Sequence, residues 1–390
     1  MKIGVDIRVL MDKKYSGVSE YTANLLKAIL KESESDNQFV FYYNSGKNIS
    51  KRMNEWKRDN VEIVASSYPN KFFNYFLQKI FSYPKIENII GEVDVFWSPH
   101  FNFSSFSPKF KTKRVLTVHD LSFIRYPKYF NWRQNLWHRL LNVKKIISNS
   151  DRVVAVSENT KNDIVDLIKK DKEDVEVIYS GNNLLKKEIK KVEVEKFRNK
   201  YFANSNFPYI LYLGTIEPRK NISNLIKAYN LFRERNENTN IKLVLAGMFG
   251  WKTKKIFKEY KKSKYREDII FLNYVEKEDK DVLYSQAKLF VYPSFYEGFG
   301  FPPLEAMTYG IPTICSNVSS LPEIVSGSAL MINPFNVEEI AIAIENVLKD
   351  KDYYNYLSEK SLKRAQDFSW DISAKKYLQL FKDLKNEERK

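Results

Sequence analysis

Short apolar runs alternate with amphipathic helical patterns along most of this 390-residue chain. Residues 2–10 form the first predicted strand, and residues 20–30 follow with apolar side chains at helical spacing. Further strands are predicted at 93–97, 114–118 and 152–156. Consecutive parallel strands need a crossover of helical length, so the alternation predicts an α/β architecture with parallel sheets.

The alternation stops once and then restarts. Residues 186–207 are rich in Lys and Glu, and predicted strands resume at 209–213, 242–246, 269–272, 288–292 and 313–315. At about 150 residues per domain, the length predicts two or three domains. We therefore expect two Rossmann-like domains facing a cleft, at residues 1–190 and 208–365, with a linker at 191–207 and a helical tail at 366–390.

Composition excludes several protein classes. A hydrophobic content of 43% excludes a disordered chain. One cysteine, Cys315, and three scattered histidines exclude an intramolecular disulfide framework and predict that there is no metal site. The first residues match a strand rather than a signal peptide, and no run reaches the ~18 apolar residues of a membrane span. We expect a cytoplasmic protein.

Two common nucleotide-binding motifs are missing from the sequence. The turn after the first strand, Ser16-Gly17-Val18-Ser19, holds one glycine where a dinucleotide-binding fingerprint needs three. No Walker A loop is present either. These absences argue against nicotinamide-dependent and P-loop enzymes.

The positive charge is concentrated in one part of the chain. The formal net charge is +16, and residues 101–150 hold ten basic side chains against one acidic, Asp120. Aromatic and basic residues are interleaved at 71–81 and 125–145. This pattern is typical of a surface that binds an anionic membrane. The alternative is that the aromatic side chains fill the core while the cations face water.

The most informative motif runs from Glu297 to Glu305, directly after the predicted strand that ends at Pro293. Gly298 and Gly300 allow a backbone to approach a phosphate closely, and the prolines at 302 and 303 begin a helix whose positive end would face it. We expect Glu305 in the first helical turn, where its carboxylate can accept from both hydroxyls of a ribose. Glu297 would lie at the mouth of the loop.

A second loop, Glu217-Pro218-Arg219-Lys220-Asn221, follows the strand at 209–213. Arg219 can clamp a phosphate bidentately and Lys220 offers a compact charge. Asn221 is expected to cap the helix that begins at Ile222. Adjacent cations at the carboxyl end of a strand suit an anionic leaving group.

These motifs together resemble the retaining glycosyltransferases of family 4, which have the GT-B fold. The E-x7-E segment from Glu297 to Glu305 carries the resemblance, and matches follow in order over nearly the whole chain. They lie at 16–21, 117–121, 156–160, 319–323 and 368–370. In such a fold the C-terminal helix returns to the N-terminal domain, which holds the acceptor, while the C-terminal domain holds the nucleotide.

The resemblance implies transfer of a sugar from a nucleotide-diphosphate donor, with retention of configuration and without a metal or other cofactor. Arg219 and Lys220 would neutralise the diphosphate, Glu297 would contact the donor sugar, and Glu305 would hold the ribose. Phe299 and Gly300 would donate backbone N–H groups to the phosphates. Gly17 would approach the phosphates from the other domain, and His119 would lie beside the sugar. Asp120 would orient the His119 ring or contact the acceptor.

The resemblance favours a mannose-type hexose and a glycan or lipid-linked glycan acceptor in surface polysaccharide synthesis, with the enzyme on the cytoplasmic membrane face. Two alternatives stay open on the sequence. One is a basic protein that binds nucleic acid backbones, although no such module is recognised and no nucleic acid partner is expected. The other is an epimerase or a non-catalytic sugar-binding relative of the same fold.

Overall fold

The computed structural model describes residues 1–390 except 12–15, 34–35, 47–48, 69–80, 185 and 388–390. The chain forms two compact units. The first comprises Met1–Arg125, Arg133–Gly181 and Ser369–Lys390, and the second comprises Tyr126–Trp132 and Asn182–Phe368. Within the described part of the chain, no helix is both long and apolar enough to cross a bilayer.

The first unit is built on a parallel sheet, which has seven strands among the described residues, in the order β3-β2-β1-β4-β5-β6-β7. The strands are β1 Lys2–Asp6, β2 Gln38–Asn44, β3 Val61–Ser66, β4 Val95–Ser98, β5 Lys113–Val118, β6 Arg152–Ala155 and β7 Val175–Val177. The helices are α1 Gly17–Glu32, α2 Ser50–Met53, α3 Ile86–Ile90, α4 Ser122–Arg125, α5 Trp132–Leu141, α6 Val143–Ser148 and α7 Glu158–Asp163.

The second unit repeats this order with six described strands, β10-β9-β8-β11-β12-β13, again all parallel. They are β8 Tyr209–Leu213, β9 Lys242–Ala246, β10 Ile269–Leu272, β11 Leu289–Tyr292, β12 Thr313–Ser316 and β13 Leu330–Ile332. Its helices are α8 Lys191–Phe202, α9 Ile222–Arg235, α10 Lys254–Lys262, α11 Lys277–Ser285, α12 Phe301–Thr308, α13 Leu321–Val325, α14 Val337–Lys349 and α15 Lys351–Ala365. The last helix, α16 Trp370–Asn386, belongs to the first unit.

The predicted α/β class with two Rossmann-like domains is confirmed. Both sheets have the doubly wound order, in which the chain leaves the central strand first to one side and then to the other. Strand β11 of the second sheet is apolar and buried along its length, and three of the four residues of the central strand β4 in the first sheet are buried, as expected for sheets covered by helices on both faces. The return of the C-terminal helix to the first unit is also as expected.

Several boundaries differ from the predictions. The chain passes from the first unit to the second after Gly181 and returns to the first at Ser369, whereas the predicted limits are residues 190 and 366. The first strand ends at Asp6 instead of continuing to residue 10, because the Asp6 carboxylate accepts from the backbone N–H of Arg8 at 3.0 Å and turns the chain. The segment 191–207 is largely helix α8, which buries Phe197 and Phe202 within the second unit, so it is not a free linker. The segment 126–132, expected in the first domain, belongs to the second unit.

A buried chain of hydrogen bonds fixes α16 in the first unit. The Tyr377 hydroxyl lies 2.8 Å from the Tyr21 hydroxyl and 2.7 Å from Thr117 Oγ1. The Trp97 indole N–H donates to the same Thr117 oxygen at 2.9 Å. Each of these polar groups is removed from water, so each depends on its neighbour for a hydrogen-bond partner.

We predict that Tyr377→Phe lowers the free energy of unfolding of the first unit by about 1–3 kcal/mol, because it leaves buried hydroxyl groups without a partner. Urea unfolding curves measure the change. Tyr356→Phe, at a half-exposed position on α15, is the matched control and should stay within about 0.5 kcal/mol of the parent. Equal stability of the two variants would contradict the prediction.

Candidate active site

The candidate site of the second unit lies at the point where its strand order reverses. Strands β8 and β11 are hydrogen-bonded neighbours in the sheet, although the chain between them makes β9 and β10 on the far side. The connections that leave their carboxyl ends therefore run in opposite directions and open a crevice, the usual ligand site of this topology. Both sequence motifs follow these two strands.

The loop after β8 is shaped by glycine at two positions. Gly214 and Gly247 follow β8 and β9 with φ angles of 154° and 137°. A Cβ atom on Gly247 would lie 2.1 Å from the Gly214 carbonyl oxygen, so the two loops can meet only if this residue is glycine. The backbone then makes one 3-10 turn, Pro218–Lys220, which carries the two cations.

Arg219 and Lys220 are both held by carboxylates. Arg219 donates from Nε and one terminal nitrogen to Glu217 Oε1 at 3.1 and 2.9 Å, and from the other to Glu297 Oε2 at 3.3 Å. Lys220 Nζ donates to the two Glu297 oxygens at 2.6 and 2.8 Å and to the Tyr292 hydroxyl at 2.9 Å. The structure thus brings together Arg219, Lys220 and Glu297 from two loops.

Burial and charge act against each other on this ion pair. Burial lowers the pKa of Lys220, and the neighbouring Arg219 lowers it further, while Glu297 and Glu217 oppose the shift. Burial by itself would raise the pKa of Glu297, but Lys220 and Arg219 outweigh it and lower that pKa. The Glu297 carboxylate is therefore held ionised between two cations.

The loop after β11 is clamped from a neighbouring turn. The Glu297 N–H donates to Ser319 Oγ at 3.0 Å, and Ser320 Oγ donates to the carbonyls of Glu297 and Phe299 at 3.1 and 2.7 Å. Gly300 precedes α12 with a φ of 121°, a conformation that favours glycine.

Glu305 lies on α12, which begins immediately after this loop. It is the fifth residue of the helix, so it lies at the start of the second turn and not inside the first. Its side chain is buried, and Oε2 accepts from the Tyr284 hydroxyl at 2.9 Å. Phe299 is also buried, with its ring against Phe301 and Phe368.

The predicted side-chain cap at Asn221 is wrong. Asn221 has a left-handed conformation, and its amide N–H group donates to the carbonyls of Pro293 and Pro334 at 3.0 and 2.7 Å. It therefore ties the β8 loop to the β11 loop. Sequence reasoning also missed the roles of Glu217, Tyr292 and Ser319. The one available signal was the carboxylate of Glu217, which lies two residues before Arg219.

The remaining predicted residues lie in the first unit. Gly17 is the first residue of α1, and a Cβ atom there would meet nothing within 4 Å. His119 follows β5, and its Nε2 lies 2.9 Å from the Pro99 carbonyl oxygen. Burial lowers the pKa of His119, although Pro99 and the Asp120 charge oppose the shift. A carbonyl only accepts, so the neutral ring carries its proton on Nε2 and has Nδ1 as an acceptor.

Asp120 does not supply the hydrogen bond that orients His119; the Pro99 carbonyl does. Asp120 Oδ1 instead accepts from the backbone N–H of Ser122 at 2.9 Å and from its hydroxyl. Asp120 lies two residues before the short helix α4 and accepts from its first residue. Among the residues that the structure describes, no group of three or more His, Cys, Asp or Glu side chains is arranged to hold a metal ion.

Both halves of the chain match known protein families. Residues 193–364 match the family described as Glycosyl transferases group 1, and residues 15–184 match Glycosyltransferase Family 4. The O-antigen chain mannosyltransferase B of Escherichia coli is 30% identical over 276 residues, covering 70% of this chain and 71% of that protein. The serotype-specific mannosyltransferase WbdA of Escherichia coli is 30% identical over 278 residues, but this match covers only 32% of its length.

Solved structures agree on the fold. The crystal structure of Alr3699/HepE from Anabaena in complex with UDP and glucose has a TM-score of 0.71 at 17% identity, over 98% of this chain and 100% of that one. The family assignment also favours the glycosyltransferase interpretation over the nucleic acid alternative. The chain belongs to the GT-B glycosyltransferases of family 4.

Proposed function

We propose that this glycosyltransferase is a retaining, metal-independent hexosyltransferase that uses a nucleotide-diphosphate sugar. One observation carries the proposal: Arg219, Lys220 and Glu297 converge at the carboxyl ends of β8 and β11. Two cations beside one carboxylate suit a donor whose phosphates are anionic and whose sugar presents hydroxyl groups.

Arg219 and Lys220 would stabilise the charge that develops on the leaving diphosphate. The bond from the sugar C1 to the phosphate oxygen breaks, and its electron pair stays on that oxygen. The acceptor hydroxyl forms the new C1–O bond on the same face, and its proton passes to the leaving phosphate oxygen. The two cations are already fixed by Glu217 and Glu297, so little reorganisation is needed as the charge develops.

Glu305 and the loop before α12 would hold the nucleotide. Glu305 Oε2 is held by Tyr284, so the carboxylate is oriented before a ribose arrives. We assign the ribose hydroxyls to Glu305 and the phosphates to the backbone at Gly298, Phe299 and Gly300. The N-terminus of α12 adds positive potential there.

We assign the acceptor to the first unit. His119 follows a central strand there and offers a neutral ring nitrogen as an acceptor, which suits a contact with a sugar hydroxyl. Gly17 leaves open space at the start of α1, in keeping with a phosphate contact. Asp120 would be a carboxylate on the acceptor side, and the leaving phosphate itself would take the acceptor proton.

The donor sugar is proposed to be of the mannose type and the acceptor a glycan, free or lipid-linked, in surface polysaccharide synthesis. Two relatives at 30% identity are named as mannosyltransferases, and one of them as an O-antigen chain enzyme. The complex of HepE with UDP and glucose shows that a protein of this fold accommodates a nucleotide and a hexose.

We also propose that the enzyme works at the cytoplasmic membrane face, through helix α5. Its exposed residues include Trp132, Leu136 and Trp137, which are 70%, 46% and 46% exposed, together with Arg133 and Arg139. Residues 121–150 contain six Lys or Arg and no Asp or Glu. Of the two predicted segments, 71–81 lies outside the described residues except for the exposed Phe81.

Removing the Lys220 charge tests the proposed stabilisation of the leaving group. Lys220→Met should lower kcat for hexose transfer by about 10²–10³-fold, because the diphosphate loses a fixed cation. It should also destabilise the second unit by about 3–5 kcal/mol, since Glu297 remains buried without its main partner. Radiolabelled sugar transfer and urea unfolding measure the two effects.

The double variant Lys220→Met/Glu297→Gln separates the loss of transfer from the loss of stability, because it should recover stability without recovering transfer. Lys277→Met, on the exposed face of α11, is the matched control. Near-normal transfer by Lys220→Met would refute the proposed role of this lysine. Product anomers identified by NMR test retention.

Removing the Glu305 charge tests the proposed ribose contact. Glu305→Gln should raise the Kd for the matching nucleoside diphosphate about ten- to a hundredfold, because a charge-assisted ribose contact is lost. Thermal stabilisation by GDP, UDP and ADP identifies the base and measures the loss, since a ligand of the native state raises its stability. Glu359→Gln, exposed on α15, is the control. Unchanged affinity in Glu305→Gln would exclude the ribose assignment.

Reversing the charge of two arginines on α5 tests the proposed membrane contact. Arg133→Glu/Arg139→Glu should reduce binding to vesicles of phosphatidylcholine and phosphatidylglycerol at least about tenfold, because each basic residue contributes ~1 kcal/mol near an anionic surface. Sedimentation with vesicles measures the bound fraction of the protein. Lys255→Glu/Lys258→Glu on α10 makes the same change in net charge elsewhere. Equal losses in both variants would show that net charge, and not α5, is responsible.

A further inference from the structure

The segment Tyr126–Trp132, which we call the clasp, leaves the unit in which its sequence neighbours lie. Arg125 and Arg133 belong to the first unit, whereas the clasp belongs to the second. The sequence motifs of the site do not include it.

The clasp is anchored through consecutive backbone carbonyls. The Trp251 indole N–H donates to the Tyr129 carbonyl at 2.6 Å. Lys252 Nζ donates to the carbonyls of Lys128 and Phe130, both at 2.7 Å. The Phe130 ring, which is buried, stacks on Trp251 at a centroid distance of 5.8 Å. Neighbouring side chains thus hold three successive carbonyls, a specific attachment.

Trp251 and Lys252 lie at the end of the loop that follows β9, and that loop is bonded to the one carrying the site cations. Ile216 N–H donates to the Met248 carbonyl at 2.9 Å, and Gly250 N–H donates to the Ile216 carbonyl at 3.0 Å. Ile216 directly precedes Glu217, the carboxylate that holds Arg219. The clasp is therefore attached, through one loop, to the backbone of the β8 loop.

The rings of the clasp pack on the other site loop. Tyr129 stacks on Phe295 with centroids 5.8 Å apart and planes 2° from parallel. Tyr126 meets Tyr296 edge to face at 5.5 Å. Phe295 and Tyr296 are the two residues immediately before Glu297.

The same two residues are held by Arg219. Phe295 N–H donates to the Arg219 carbonyl at 2.9 Å, and an Arg219 guanidinium N–H donates to the Tyr296 carbonyl at 2.7 Å. The backbone that carries Glu297 is thus fixed by hydrogen bonds to Arg219 and by ring contacts with the clasp. Loss of either set would allow the Glu297 carboxylate to move relative to Lys220.

We infer that the clasp is a positioning element of the active site, in which Tyr129 and Tyr126 set the position of Glu297 through Phe295 and Tyr296. Neither tyrosine is assigned a contact with substrate. The inference rests on the proposed function for its kinetic consequence, but its structural consequence can be measured without any substrate.

Hydrogen–deuterium exchange tests the structural part. In Tyr129→Ala the amides of residues 294–297 should exchange about tenfold faster, because loss of a stacked ring pair makes local opening easier. Amides of α9 should be unchanged, and Tyr129→Phe, which keeps the ring, should match the parent. Tyr356→Ala removes a half-exposed tyrosine from α15 and is the control for loss of a ring. Unchanged exchange at 294–297, or an equal increase throughout the second unit, would overturn the inference.

Kinetics test the functional part. Tyr129→Ala should lower kcat about ten- to a hundredfold, since small misplacement of a catalytic group is costly. The Kd for the nucleoside diphosphate should stay within about threefold, because the Glu305 contact is not touched. Parallel losses of binding and kcat would contradict a positioning role. If the parent enzyme transfers no sugar, the proposed function fails, whereas the exchange experiment still decides whether the clasp holds the loop.

Discussion

The buried ion pair between Lys220 and Glu297 is the constraint on which the rest of the site depends. Its two side chains are 10% and 9% exposed, and 77 residues separate them in the chain. Removing two charges from water is costly unless the geometry is accurate and further hydrogen bonds satisfy them. Tyr292 bonds to Lys220 and Arg219 bonds to Glu297, while the serines of the 319–320 turn hold the backbone of Glu297. The neighbouring loops are therefore built to hold a carboxylate between two cations, an arrangement suited to a phosphorylated ligand.

The two units share a strand order but differ in the side chains that follow the carboxyl ends of their strands. In the second unit the switch point between β8 and β11 gathers four charged side chains, Glu217, Arg219, Lys220 and Glu297. In the first unit the corresponding strands β1 and β4 end near a buried Asp6–Arg8 ion pair, and the neutral His119 follows β5. One topology thus carries a cluster of paired cations and carboxylates in one unit and a neutral imidazole in the other. Topology supplies the crevice, and the side chains decide its ligand.

The basic, aromatic segment at 125–145 divides between two roles. Tyr126, Tyr129 and Phe130 make ring contacts with Tyr296, Phe295 and Trp251 in the second unit. Trp132 and Trp137 are exposed on α5 beside arginines. None of the first three fills the core of the first unit, although the alternative expected them there. Sequence could not separate the two groups, because both are aromatic residues in one cationic stretch and only their tertiary contacts differ.

The sequence by itself determined the α/β class, nine of the thirteen described strands, and the two loops that carry the charged residues, because strand and helix periodicity and local turn chemistry are encoded in neighbouring residues. It missed β2, β3, β7 and β13. It also indicated the family, through the segment from Glu297 to Glu305 and the matches that follow in order along the chain. Only the tertiary structure decided that Lys220 binds Glu297, that Asn221 joins two loops instead of capping a helix, and that residues 126–132 leave the first unit. Each of these depends on contacts between residues distant in sequence, which periodicity and spacing do not record.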